Sequence, residues 1–330
     1  MSLLPIALEA DVRAVVEVQR RVRRPALPLD ARRAPRPRDC YASFSSGSSA
    51  TTRSAQAGAE LEEELRFVLH AAERTKNAAV ENDIRQVFSE LQRRRRARKA
   101  VMPPKCSGVG ASAAAPPRPH VLALVQACES STEAAAEALL RSFYESHCGA
   151  SCKDISFSLV SVPLARLLLK RGNSPADLAS ALKILDGAVS SRHVGAMLLV
   201  GLCLRDGVGV AVDFVAGLTW VERAADAGYA PAMYEMAIMY EDGAEISGKC
   251  LPSDWGEAMK LYRKAADLGH TMAQLNLGKL LWRAAEAAVS EAQGVCSAAT
   301  VAELRGKSRG YLEAAAASGN EEAVRLLRCK

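Results

Sequence analysis

AMLLVGLCLRDG at residues 196–207 and DFVAGLTWVERAADAG at 213–228 return as AMYEMAIMYEDG at 232–243 and DWGEAMKLYRKAADLG at 254–269. In the first segment of each pair, apolar residues recur three and four apart (Met197, Leu198, Val200, Leu204; Met233, Met236, Ala237, Tyr240). That is the spacing of one helical face. A Gly closes each, the residue that accepts the left-handed conformation past a helix end. The second segments superimpose without a gap. Asp213 and Asp254 stand where a carboxylate caps a helix by accepting a bond from an unpaired amide. Working outward, the same frame opens at Ser161, Ala196, Ala232 and Ala273, with a partial copy at Ala323, so the spacings are 35, 36, 41 and 50 residues. Two short amphipathic helices per copy cannot bury their apolar faces alone, and stacked copies can. The expected fold is all-α, an α-solenoid of helix pairs.

Each second helix carries a large apolar residue (Ile184, Trp220, Leu261, Tyr311), then Ala four positions later (Ala188, Ala224, Ala265, Ala315). Gly228, Gly269 and Gly319 end the last three of these helices, and Arg192 holds that place in the first. The small residues Gly201, Ala237 and Gly278 predict close helix approach. Trp220 is expected to fill its layer, and burying such a side chain is worth about 1.5–3 kcal/mol.

Taken together, Asp254, Ala258, Leu261, Tyr262, Lys264, Ala265, Ala266 and Gly269, followed by Ala273, Leu277 and Gly278, resemble the Sel1-like repeat pattern. The resemblance runs over about 161–328. It implies the helix-pair geometry of the tetratricopeptide-like superfamily, a binding surface on the first helices, and partners that are proteins or peptides. Copies one and four depart from the pattern, through Arg166 at a small position and a long Ala-rich insertion at 285–303.

Composition divides the chain. Residues 1–119 hold 22 Lys+Arg against 13 Asp+Glu, a net +9, and residues 120–330 hold 21 against 24, a net −3. No apolar stretch is long enough to span a membrane. The nine cysteines show no repeat-locked pairing, which points to an intracellular reducing compartment, cytoplasmic or nuclear, and not to secretion. Nine Arg and no Lys in residues 1–40 raise a mitochondrial alternative, opposed by Glu9, Asp11, Glu17, Asp30 and Asp39. The boundaries read as a disordered or targeting-like region at 1–59, a basic helical segment at 60–99, a Pro/Ala-rich linker at 100–119, capping helices at 120–160, and the solenoid at 161–330.

Chemistry-bearing patterns are few. Five His (70, 120, 147, 193, 270) pair with no nucleophile, and Gly207-Val208-Gly209 belongs to a turn. His147, Cys148 and Cys152 fall short of the four ligands zinc asks for. No catalytic residue, cofactor or metal is assigned. The strongest charged feature is Arg93, Arg94, Arg95, Arg96, Arg98 and Lys99, six cations in seven residues. It reads as a solvated helix end, an import signal or a nucleic-acid contact. Positions off the core phase of the first helices are Leu199, Cys203 and Asp206, then Glu235, Met239 and Asp242, then Asn276, Lys279 and Arg283. An acidic middle over an apolar floor suits a basic or amphipathic peptide, and the basic 93–99 segment of the same chain is one candidate occupant. The function this implies is a non-enzymatic adaptor or scaffold. The alternative is a mitochondrial assembly or ribosome-associated factor whose basic arm contacts RNA. Oligomeric state is not legible.

Overall fold

The computed structural model describes residues 56–99, 117–130, 132–147, 155–171, 174–246, 249–251, 253–290 and 298–328. The expectations for residues 1–55 and 100–116, and those for Cys148 and Cys152, fall outside this range. The described residues are helical apart from one short hairpin, and they divide into two compact units, 56–197 and 198–328.

The first unit contains α1 (Gln56–Arg74), α2 (Ala78–Lys99), α3 (Pro119–Cys128), α4 (Glu133–His147), α5 (Ile155–Arg171), α6 (Pro175–Ser190) and the first turn of α7 (Val194–Asp206). Leu61, Leu65, Val68 and Ala72 of α1, Ile84, Val87 and Leu91 of α2, and Val121, Leu124 and Val125 of α3 are all buried. Arg166 of α5 occupies a small-residue position for a visible reason. Its guanidinium reaches Glu64 of α1 at 2.9 Å, and both side chains are buried. Desolvation raises the Glu64 carboxyl and Arg166 opposes the rise. A buried pair of this kind fixes how two helices meet more than it stabilises them.

The second unit runs from Leu198 of α7 through α8 (Phe214–Asp226), α9 (Ala230–Asp242), a hairpin of β1 (Ala244–Ile246) and β2 (Lys249–Leu251), α10 (Trp255–Asp267), α11 (Thr271–Ser290), α12 (Ala298–Ala317) and α13 (Glu321–Arg328). The hairpin is antiparallel, with Ala244 opposite Leu251 and Ile246 opposite Lys249, and it fills the long loop of the copy spaced at 41 residues. Asp213 caps α8 by accepting from the Ala216 amide at 3.0 Å, and Asp254 caps α10 by accepting from Gly256 and Glu257.

The small residues bring backbones together. A Cβ on Gly217 would lie 2.7 Å from the Gly201 carbonyl oxygen and 2.9 Å from the Arg205 nitrogen, so α7 and α8 meet backbone to backbone. Gly278 of α11 lies against Leu312 of α12, and Ser308 Oγ donates to the Gly278 carbonyl at 2.6 Å.

The large core residue lies one position later than the sequence places it. Leu185, Val221, Tyr262 and Leu312 are buried almost completely, together with Ala188, Ala224, Ala265 and Ala315. Of the four residues assigned to that slot, Ile184 is buried but Trp220, Leu261 and Tyr311 are half-buried. Trp220 sits on the shoulder of α8, with the Arg223 guanidinium 4.8 Å from its ring centroid. Size and hydropathy favour Trp and Leu for the core slot, whereas the helix directs Ala258, Tyr262 and Ala265 onto one stripe.

Candidate interaction surface

Successive helix pairs are joined by one repeated joint. The backbone N–H of His193, Tyr229, His270 and Asn320 donates to the carbonyl of Ala188, Ala224, Ala265 and Ala315 respectively. This is the six-to-one bond of a Schellman helix end. The carbonyl of each joint residue then accepts the first bond of the following helix, from Met197, Met233, Gln274 and Val324. One residue thus closes a helix and opens the next. Two of these residues also cap through the side chain. His270 Nδ1 accepts from the Ala273 amide at 3.2 Å, and Asn320 Oδ1 from the Ala323 amide at 2.9 Å. The His270 proton therefore sits on Nε2. Burial lowers the His193 pKa to about 4 and that of His270 to about 3.

In the second unit the joint aims α9 and α11 so that their polar residues converge on α10. Tyr262 donates its hydroxyl hydrogen to Glu241 at 2.8 Å, and Asn276 Nδ2 donates to the same hydroxyl oxygen at 3.3 Å. The Tyr234 ring lies 5.8 Å from that of Tyr262 and 4.7 Å from His270. Burial raises the Glu241 carboxyl above the usual carboxylate range, opposed by Tyr262, Arg283 and Lys279. Burial also drives both phenols well above their ordinary value, so they remain neutral donors. Beside this network Arg205 binds Asp206 at 2.7 and 2.9 Å and Glu235 at 3.2 Å, and Lys279 reaches Glu322 at 2.6 Å.

The nine residues expected on the partner face separate into two sets. Glu235 and Met239 are 4% and 5% exposed and belong to the interior, as do Leu199 and Cys203. The reason is that α9 is apolar nearly all round. A helix of that kind is covered on several sides, not along one stripe, and residues 230–237 are buried without interruption. Asp242 and Arg283 are exposed, and Asp206, Asn276 and Lys279 are half-buried. Sequence reasoning passed over Tyr234 and Glu241 and read Tyr262 only as a residue of the repeat pattern. Tyr234 and Glu241 are seven residues apart, two helical turns, which places them on one face.

The basic run is in a different setting. Arg93, Arg94, Arg95 and Arg98 are engaged by Glu90, Glu62 and Glu129 within α1–α3. These four arginines lie in the last turns of α2 and take their carboxylate partners within the first unit.

Among the described residues no group of three or more His, Cys, Asp and Glu is gathered to hold a metal, and no helix is long and apolar enough to cross a membrane. Cys128 and Cys203 are buried.

Compared with known proteins, the chain matches the Sel1 repeat family model at residues 194–229 and 230–270. Each match spans one helix pair, α7 with α8 and α9 with α10. No curated protein matches. A solved Sel1 repeat protein from Oxalobacter formigenes aligns at 24% identity over 45% of this chain and 98% of that one, with a TM-score of 0.35. Residues 194–270 match two successive Sel1 repeats, modules that generally serve protein–protein interaction.

Proposed function

We propose that this chain is a non-enzymatic adaptor or scaffold that holds a protein segment on the first-helix face of its second unit. The observation that carries this is a row of mixed-sign side chains on α7, α9 and α11. Asp206, Asp242, Lys279 and Arg283 are carried on these helices, two of which also supply Glu241 and Asn276 to the part-buried Glu241–Tyr262–Asn276 network. A network whose donors and acceptors are matched fixes the rotamers of its members. Asn276 is therefore presented in one orientation, and less side-chain entropy is lost when a partner arrives. The mixed signs suit a segment carrying a cation toward Asp206 or Asp242 and a carboxylate toward Arg283. Specificity then rests on a few side chains, since the fold alone does not settle function.

The test is proximity labelling in cells with the full-length protein and with an Asp242→Lys, Arg283→Glu variant. Both positions are exposed, so folding is retained, whereas a charge reversal at Glu235 would report on folding. A defined partner set that the variant loses is the expected result. Partners unchanged in the variant would refute this placement of the surface.

A further inference from the structure

The carboxylates that engage the arginine run lie underneath it. Glu62, Glu90 and Glu129 have side chains only 9, 10 and 12% exposed, while Arg93, Arg95 and Arg98 are 76, 55 and 67% exposed. Arg93 grips Glu90 with two bonds of 2.7 and 2.8 Å, and Arg94 bridges Glu90 and Glu129 at 2.9 Å each. Arg98 reaches Glu129 at 3.2 Å, and Arg95 reaches Glu62. A guanidinium has five N–H donors, and one carboxylate takes at most two. Arg93, Arg95 and Arg98 are therefore each held by a carboxylate and keep donors for a ligand, and Arg96 is exposed beside them.

The exposed residues around these arginines decide the kind of ligand. Gln92, Arg96 and Ala97 complete the outer surface of the last turns of α2, and no large apolar side chain stands among them. A protein partner is ordinarily anchored by aromatic or aliphatic side chains in a desolvated centre, and the described residues of this surface offer none. Nor do they include an aromatic residue on which an unpaired base would stack. What remains is a set of guanidinium forks around the end of α2, three of them held by carboxylates, with the geometry that matches phosphate.

We propose that the end of α2 is a docking rail for the phosphate backbone of duplex nucleic acid, held without base readout. Arg93, Arg95, Arg96 and Arg98 make the contacts, and Glu62, Glu90 and Glu129 act as positioning residues.

The test is fluorescence polarisation of a fluorescein-labelled 20-base-pair DNA duplex, titrated with full-length protein from 50 to 200 mM salt. Each phosphate contact adds about 0.9 to the slope of log affinity against log salt. An Arg93→Gln, Arg96→Gln variant should lose about 1.8 of that slope, and its melting curve should match wild type because Arg94 still holds Glu90. An Ala97→Arg variant adds a fork to the same exposed rail and should gain up to about 0.9. The change between variants reads the rail, because residues 1–55 carry arginines of their own. A slope unchanged in both variants overturns the proposal. So does equal sensitivity of both variants on phosphatidylserine vesicles, with the duplex bound no better than the vesicles.

Discussion

Gly217→Ala tests the packing of the Sel1 pair most directly, because the same change elsewhere in the unit carries the opposite sign. The new methyl would lie 2.7 Å from the Gly201 carbonyl oxygen and 2.9 Å from the Arg205 nitrogen, both backbone atoms. Ordinary contact begins near 3.4 Å, so α7 and α8 must separate by roughly 0.5–0.7 Å, which opens the layer around them. Overpacking of this kind costs about 1–3 kcal/mol, and backbone obstacles on two sides place it at the upper end. Ala is better than Gly in a helix interior by about 0.8–1 kcal/mol. The net loss is then about 2 kcal/mol. Gly310 lies inside α12 with nothing within 4 Å of a built Cβ. There Gly310→Ala keeps only the propensity gain, about 1 kcal/mol of stabilisation. Gly278→Ala falls between. Its methyl meets the Leu312 side chain at 2.8 Å, which yields partly, and the Ser308 carbonyl at 3.3 Å. Urea midpoints and melting temperatures of full-length protein should rank Gly310→Ala above wild type, then Gly278→Ala, then Gly217→Ala. The extremes should differ by about 3 kcal/mol, or about 6–12 °C for a unit of this size. Gly217→Ala melting with or above Gly310→Ala would refute the close crossing of α7 and α8.

Two further predictions concern the joints. Arg192 takes the left-handed conformation at φ 59°, where Gly228, Gly269 and Gly319 stand in the other copies at 91, 87 and 89°. Relief of that backbone cost should make Arg192→Gly more stable by about 1 kcal/mol, read as a raised urea midpoint. The second prediction is for pH. His193 and His270 are neutral when folded, with pKa about 4 and about 3, both below the ordinary 6.5. Below pH 6.5 the unfolded chain binds protons that the folded chain refuses, so their contribution is whole above that pH. It is lost as pH falls through 6.5 toward 4 and 3. By pH 5 each accounts for about 2 kcal/mol. His270→Asn keeps the cap acceptor that Asn320 provides in the next copy, so it should remove the share belonging to His270. Equal loss between pH 7 and 5 in wild type and variant would contradict this.

Much of the repeat was open to reading because its signals are local. Asp213 and Asp254 do cap, and Gly228, Gly269 and Gly319 do turn left-handed, since each acts through its own backbone. What failed was the assignment of faces. Trp220 and Leu261 were placed in the core and Glu235 and Met239 outside it, because a single apolar stripe was assumed for helices that neighbours cover on several sides. The Tyr262–Glu241 bond joins residues 21 apart in different helices, and no periodicity announces it. The arginine run was legible as charge, but not as an ordered array. Its carboxylate partners Glu62 and Glu129 lie 33 and 35 residues away.

The position of length variation also follows from the joints. Between helix pairs the chain must pass through one residue whose N–H is spent on an Ala carbonyl and whose carbonyl is spent on the next helix. An inserted residue would break one of those bonds and leave a buried backbone group unpaired, at about 1–3 kcal/mol. Within a pair no such double constraint exists. The turn after α7 is short, with Asp213 N–H donating to the Leu204 carbonyl, and the turn after α9 carries a whole hairpin. In the fourth copy the extra length is taken up by extending the helices themselves. Both α11 and α12 run to 20 residues, where α7, α8, α9 and α10 have 13. The spacings of 35, 36, 41 and 50 residues are thus one fixed joint and one free loop. Insertions enter at the loop end of the pairs and leave the order and aim of α9 and α11 untouched, which is the condition a partner surface built across copies requires.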